Sequence, residues 1–167
     1  MEEAERADRL ERMMEQYGAG VLRLCCVYLR DAKLAEDAAQ ETFLKAYRSM
    51  DAFRGESGEK TWLAAIAVNV CQDWCRGAWF RHIDRSVDWE KLGLAAEAPK
   101  TAESGLMQAI MCLPRKQREA VLMRYYADMT QSEMARTLHI SEAAVSKRLT
   151  RAREMLKNEL KGGIRDE

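Results

Sequence analysis

The chain has 167 residues, with 27 basic and 27 acidic side chains, a formal net charge of zero and 47% hydrophobic content. That length holds one domain or two small ones with ample apolar material for a core, and the neutral balance is unusual for a chain that binds DNA over its whole surface. No apolar stretch approaches the roughly 20 residues of a membrane span, and the charged start MEEAERADRLER has no apolar signal core, so a cytoplasmic protein that is not membrane-embedded is expected.

Ala, Leu, Met, Glu, Lys and Arg dominate, while only 2 Pro and 9 Gly occur. These residues favour helix, and no alternating β-branched run suggests a strand. The expected fold class is all-α: two small helical domains joined by a flexible linker, the second a helix-turn-helix. Taken in chain order, a first helix is expected from about Ala7 to Leu29. A second starts after Asp31, a good N-cap, and runs to about Met50. The polar stretch DAFRGESGEK (51–60) reads as a loop, and a third helix covers about Thr61 to Gly77. Residues 79–104 lose helical periodicity and contain Pro99, a breaker. Four further helices are expected near 104–112, 115–127, 131–138 and 142–160. The resulting boundaries are a first domain at 1–80, a linker at 81–104 and a second domain at 105–167.

Charge is segregated along this plan. Residues 1–53 carry 8 basic and 11 acidic side chains, whereas residues 105–167 carry 12 and 8. Such asymmetry, rather than the total, points to partners. The five cysteines (Cys25, Cys26, Cys71, Cys75, Cys112) fit buried, reduced thiols. Cys71 and Cys75 share a helix face with His82 nearby, but no fourth ligand or second Cys pair stands at zinc-like spacing. No metal and no cofactor are expected.

The second domain carries the sharper local pattern. Thr130-Gln131-Ser132-Glu133 is a capping box that starts a short helix, with Met134, Ala135 and Leu138 on its apolar face. A tight break at His139-Ile140-Ser141 follows, with Ser141 capping the next helix. Along that helix Val145, Leu149, Ala152, Leu156 and Leu160 form one stripe and are expected in the core. Ser146, Lys147, Thr150, Arg151, Arg153 and Lys157 lie opposite. A basic, hydroxyl-bearing helix face behind a tight turn suits the DNA major groove. The bland alternative is a solvated charged face.

In the first domain, Ala35, Ala39, Phe43, Ala46, Tyr47 and Met50 fall on one side of the second helix and are expected to be buried. Asp37, Glu41, Lys45 and Arg48 share the other, with Gln40 and Leu44 at its edge. An acidic pair at i, i+4 beside an exposed leucine is slightly destabilising in isolation. It suits a basic, partly apolar partner, and equally an ordinary solvated face. On the third helix Trp62, Asn69, Asp73 and Arg76 fall along one side, while Trp74, Trp79 and Phe80 crowd its end. Aromatics beside basic groups can stack unpaired bases, or simply fill a small core.

The stretch AEDAAQETFLKAYRSMDAFRGESGEKTWLAAIAVNVCQDWCR (35–76) resembles the core domain of bacterial RNA polymerase sigma factors. LPRKQREAVLMRYYADMTQSEMARTLHISEAAVSKRLTRAREML (113–156) resembles their C-terminal promoter-reading domain. The order of the two, the short linker and the lack of a long N-terminal extension resemble the extracytoplasmic-function (ECF) branch of the sigma-70 family. The resemblance implies that Asp37, Gln40, Glu41 and Leu44 dock on core RNA polymerase. It implies that Phe53, Arg54, Gly55, Ser57, Trp62, Asn69 and Arg76 contact the single-stranded −10 element. It implies that Ser146, Lys147, Thr150, Arg151 and Arg153 contact the duplex −35 element. It further implies control by an anti-sigma factor, often membrane-anchored, and a stress or envelope response. The chain departs from the family pattern at Ala38-Ala39, where bulky aliphatics are usual and looser packing is expected, and at Ala143-Ala144 and Ser146.

The expected function is therefore a transcription initiation factor and not an enzyme. Two alternatives make different demands. A stand-alone helix-turn-helix regulator would bind duplex tightly without polymerase, at a palindromic site. An enzyme using Cys71, Cys75 and His82 lacks a base, nucleophile and orienting group in combination.

Overall fold

The computed structural model describes residues 1–77 and 102–165, with side chains described for 1–77 and 105–162. Trp79, Phe80, His82 and all but the last three residues of the expected linker lie outside the described residues. The chain separates into two compact units, Met1–Val87 and Asp88–Glu167. All regular elements among the described residues are helical.

The first unit contains α1 (Glu3–Leu29), α2 (Ala32–Ser49) and α3 (Glu59–Arg76), each packed against the other two. α1 starts earlier than Ala7, because Glu3 and Glu5 place negative charge in its first turn, where the helix dipole favours it. It stops at Arg30, which turns left-handed at φ 58° while its N–H donates to the Cys26 carbonyl at 2.8 Å. The Asp31 cap forms as expected, its carboxylate accepting from the Leu34 N–H at 2.9 Å. A short 3-10 turn, Met50–Ala52, ends α2. α3 begins at Glu59, two residues before the expected Thr61, with extended Gly58 as its N-cap.

The core of this unit takes Met13, Leu24, Tyr28, Leu29, Phe43, Met50, Leu63, Val68 and Cys71. Ala38 is fully buried and Ala39 nearly so. Small side chains there let α2 lie close to its neighbours, so the alanine pair is part of the packed face. Thr42 is also fully buried, its hydroxyl satisfied by donating to the Ala38 carbonyl at 2.8 Å. Tyr47, expected inside, is only half-buried, with the Arg6 guanidinium 5.6 Å from its ring centroid.

The second unit contains α4 (Ala102–Cys112), α5 (Arg115–Val121), α6 (Gln131–Leu138) and α7 (Glu142–Arg165). α4 takes residues 102–104, expected in the linker, into helix. α4, α5 and α6 all pack on α7. The expected helix at 115–127 is not uniform: a π-helical turn, Leu122–Tyr126, follows α5. The Ala127 N–H reaches back to the Leu122 carbonyl at 3.0 Å, and the extra residue leaves Met123 buried and Tyr125 57% exposed.

The core here is Met111, Ala120, Met123, Met129, Met134, Leu138, Val145, Leu149 and Ala152. Leu156 is half-buried, whereas Leu160 is 40% exposed. The expected stripe is therefore fully buried only through Ala152, with Leu156 partly covered against the same core. Among the described residues, Leu160 lines an open groove with Leu106 and Ile110 of α4 instead of a closed core.

Candidate functional site

Three surfaces carry the residues singled out by sequence. On α2, Asp37, Gln40 and Leu44 are exposed, Leu44 by 55%. Glu41 is engaged within the fold. Its carboxylate accepts from the Trp74 indole Nε1–H at 2.9 Å and pairs with Lys45 at 3.4 Å. Lys45 also lies 3.8 Å from Asp73, which in turn pairs with Arg76 at 3.7 Å. A chain of charges thus runs from the α2 face to the end of α3. Trp74 is accordingly half-buried with its polar edge satisfied, rather than presented for stacking.

The second surface is the loop between the 3-10 turn and α3. Phe53 and Trp62, both half-buried, stack with centroids 4.7 Å apart and planes at 29°. Arg54 and Gly55 are exposed, and Ser57 is half-buried. Gly55 sits at φ +73°, a conformation that a side chain strains, so the loop's sharp bend depends on glycine there. On α3, Asn69 is exposed, and the Arg76 side chain is 70% exposed.

Sequence reasoning missed what holds this loop. α1 lays Arg6, Arg9 and Arg12 beside it. Arg6 pairs with Asp51. Arg9 and Arg12 both donate to Glu59 Oε1, at 3.1 and 3.4 Å. The Arg9 guanidinium also lies 5.4 Å from the Phe53 centroid. The i, i+3, i+6 spacing of the arginines is visible in the sequence. Their partners, 45 to 50 residues away, are not.

The third surface is on α7. The Thr130–Glu133 capping box is reciprocal: the Glu133 N–H donates to Thr130 Oγ1 at 3.1 Å, and the Thr130 N–H to Glu133 Oε2 at 2.7 Å. α6 ends at His139, left-handed at φ 56°, with the Ile140 N–H on the Ala135 carbonyl at 3.1 Å. Ser141 Oγ accepts from the Ala144 N–H at 3.1 Å and starts α7. Beyond that cap, Ser146, Lys147, Thr150 and Arg151 are all exposed. Arg153 is exposed too, but its Nε–H donates to the Tyr125 hydroxyl at 2.9 Å. With Leu106, Ile110, Val121, Tyr125, Leu156 and Leu160 it lines an apolar groove of about 620 Å³. Arg148 faces inward to Glu119 at 3.4 Å, and Arg118 is buried, donating to the Leu113 carbonyl at 3.0 Å. Basic residues that merely count toward charge in the sequence thus divide into structural and outward-facing groups.

Cys25, Cys26, Cys71 and Cys75 are buried, and Cys112 is exposed. Among the described residues no cluster of three metal-ligating side chains occurs; His82 lies outside them. Burial, then the nearby Cys25, Glu36 and Asp31, push the Cys26 thiol up to about 11. A thiol held protonated is a poor nucleophile. No helix among the described residues is long and apolar enough to cross a membrane.

Comparison with known proteins agrees with this arrangement. Residues 13–81 match the sigma-70 region 2 family model, and residues 104–156 match that of sigma-70 region 4. The ECF RNA polymerase sigma-E factor of Escherichia coli is 31% identical, over 77% of this chain and 75% of that protein. A probable RNA polymerase sigma factor, RfaY of Xanthomonas campestris, is 32% identical over 84% of this chain, which spans 37% of that longer protein. Among solved structures, the sigma factor RpoE of Bartonella quintana, in complex with the anti-sigma factor NepR, matches with a TM-score of 0.73 at 22% identity, covering 90% of this chain and 96% of that one. With two helical units matched in order and a relative of this identity covered over three quarters of its length, the chain belongs to the ECF branch of the sigma-70 family of RNA polymerase sigma factors.

Proposed function

We propose that this chain docks on core RNA polymerase through Asp37, Gln40, Glu41 and Leu44, and directs initiation at promoters with paired −35 and −10 elements. In this reading residues 1–80 hold polymerase and read the −10 element, and residues 102–167 read the −35 element, α4 having taken 102–104 out of the expected linker. The observation that carries it is the pairing, in one chain, of an acidic exposed α2 face with a separate unit whose α7 turns an outward basic face to solvent. Ser146, Lys147, Thr150 and Arg151 would enter the major groove, where bases are read and phosphates held. Arg153 joins them only by releasing Tyr125. On the other unit an unpaired base would meet Phe53, Trp62 and the Arg54-Gly55-Ser57 bend, with Asn69 and Arg76 along the strand.

Each reader alone offers few contacts. Joined on polymerase, the second contact becomes intramolecular and can add about 10²- to 10⁴-fold in avidity. Holding an unstacked base offsets the few kcal/mol that unpairing costs. The protein itself carries out no covalent chemistry and acts in the cytoplasm, where its proposed partners are. The Bartonella quintana sigma factor that shares this fold is described in complex with an anti-sigma factor, which supports a protein antagonist here too, and with it a stress or envelope response.

Run-off transcription with purified core polymerase and a promoter pool tests the reading. Promoter-specific transcripts are expected. Their absence, together with tight duplex binding by the chain alone, would instead identify a stand-alone regulator.

A further inference from the structure

The arginine row of α1 lies outside the expected contacts. Arg6, Arg9 and Arg12 meet Asp51 and Glu59, the two carboxylates that flank the Phe53–Gly58 bend. The Arg6 and Arg9 side chains are largely covered, at 24% and 26% exposure. Arg9 makes two contacts at once: its Nη2 donates to Glu59, in the first turn of α3, and its guanidinium lies against the Phe53 ring. Phe53 in turn is stacked on Trp62. One side chain of α1 therefore touches Phe53, which starts the bend and belongs to the aromatic pair, and Glu59, which follows its end.

Two physical consequences follow. First, Phe53 and Trp62 are held stacked before any ligand arrives, so the ordering cost of the bend is not charged to binding. Second, Asp51 and Glu59 would repel a phosphate backbone passing the loop. Guanidinium partners compensate that charge. Arginine suits the task because its planar group can lie on an aromatic ring and still donate to a carboxylate.

We propose that Arg9 is a positioning residue for single-strand recognition, acting through Phe53 and Glu59, with Arg6 and Arg12 as secondary ties. This rests on the reading that Phe53 and Trp62 meet the unpaired −10 strand.

The test uses the full chain assembled with core polymerase. Its probe is a single-stranded non-template −10 oligonucleotide, selected from a pool by the wild-type holoenzyme. Arg9→Ala should weaken oligonucleotide binding by about tenfold, the scale of a partly desolvated cation–π contact. Affinity for core polymerase should stay unchanged. In a Phe53→Ala background the same substitution should cost less than about twofold, because coupled residues are not additive. Arg9→Lys should recover only part of the loss, since an ammonium cannot span ring and carboxylate as the planar group does.

Strand binding by Arg9→Ala within twofold of wild type would overturn the proposal. So would an equal loss in both backgrounds, which marks a direct phosphate contact. A parallel loss of core affinity would mark a general folding role, and also overturns it. If Phe53→Ala and Trp62→Ala weaken strand binding measurably while Arg9→Ala does not, only the positioning role fails. If neither aromatic substitution matters, the base-capture reading fails and this proposal with it.

Discussion

The indole of Trp74 donates a hydrogen bond to the carboxylate of Glu41, 33 residues earlier in the chain, at 2.9 Å. This bond joins α3 to the α2 face proposed to hold polymerase. It makes Glu41 a structural residue as well as a candidate contact. Glu41→Ala should lower unfolding free energy by about 1–2 kcal/mol, since the bond has an ionised acceptor and is partly covered. Glu41→Gln keeps an acceptor oxygen and should recover most of it. Asp37→Ala, on an exposed residue, should stay within about 0.5 kcal/mol of wild type. Urea denaturation measures all three. Polymerase pull-down then separates the roles: Asp37→Ala should lose core affinity with stability intact.

On α7, Arg151 faces solvent, while Arg153 is tied to Tyr125. Arg151→Ala should weaken holoenzyme binding to −35 duplex and lower the salt slope by about one ion. Its stability should be unchanged. The Arg153 guanidinium also lies 5.9 Å from the Tyr125 ring centroid, so Arg153→Ala should affect DNA binding less and lower stability by about 0.5–1 kcal/mol, the range of an exposed cation–π contact. Fluorescence anisotropy at several salt concentrations, with thermal melts alongside, checks both.

Leu149 is 1% exposed at the centre of the second unit. Leu149→Ala should cost about 2–5 kcal/mol through lost burial and a residual cavity. Loss of helicity at a lower urea midpoint, with −35 binding lost in step, is the expected result. Wild-type stability would mean that the site collapses around the smaller side chain.

The thiols should separate by position. At neutral pH iodoacetamide should label Cys112 rapidly and spare Cys25, Cys26, Cys71 and Cys75 until denaturant is added. Cys26 also sets a pH dependence. Its folded value lies above the ordinary 9.0, at about 11, so the folded state favours the neutral thiol. The associated stability is fully present below pH 9 and falls as pH rises from there toward 11. Urea midpoints across pH 8–11 should show this fall, and Cys26→Ala should flatten it. Mass spectrometry of the labelled protein reports the order of reaction.

Much of the fold was legible because its signals are local. Asp31 and Ser141 cap because a carboxylate or hydroxyl beside an apolar-periodic run accepts from the next turn's N–H, and Thr130–Glu133 closes as a reciprocal box. The α7 stripe followed from a 3.6-residue period. It weakened at Leu156 and failed at Leu160, because periodicity says which face a residue occupies but not whether anything covers it. The π turn at Leu122–Tyr126 had no local signal, and it is what brings Tyr125 to the surface beside Arg153. The site residues were named from the family resemblance, since pattern alone left a solvated face or a filled core equally open. The engagement of Glu41, Arg153 and the Phe53–Trp62 pair with their own fold was not foreseeable, since each partner lies on another element.

The sequence by itself determined the helical class, the order of the two modules, the caps and the faces of α2 and α7. Propensity, capping and periodicity act within a few residues and need no tertiary context. Only the tertiary structure decided which charges are available. Arg118 and Arg148 turn inward, Arg6, Arg9 and Arg12 are spent on Asp51 and Glu59, and Glu41 is shared with Trp74 and Lys45. A charged side chain's role depends on what the fold brings within about 4 Å of it, and that distance is set by helix packing rather than by chain position.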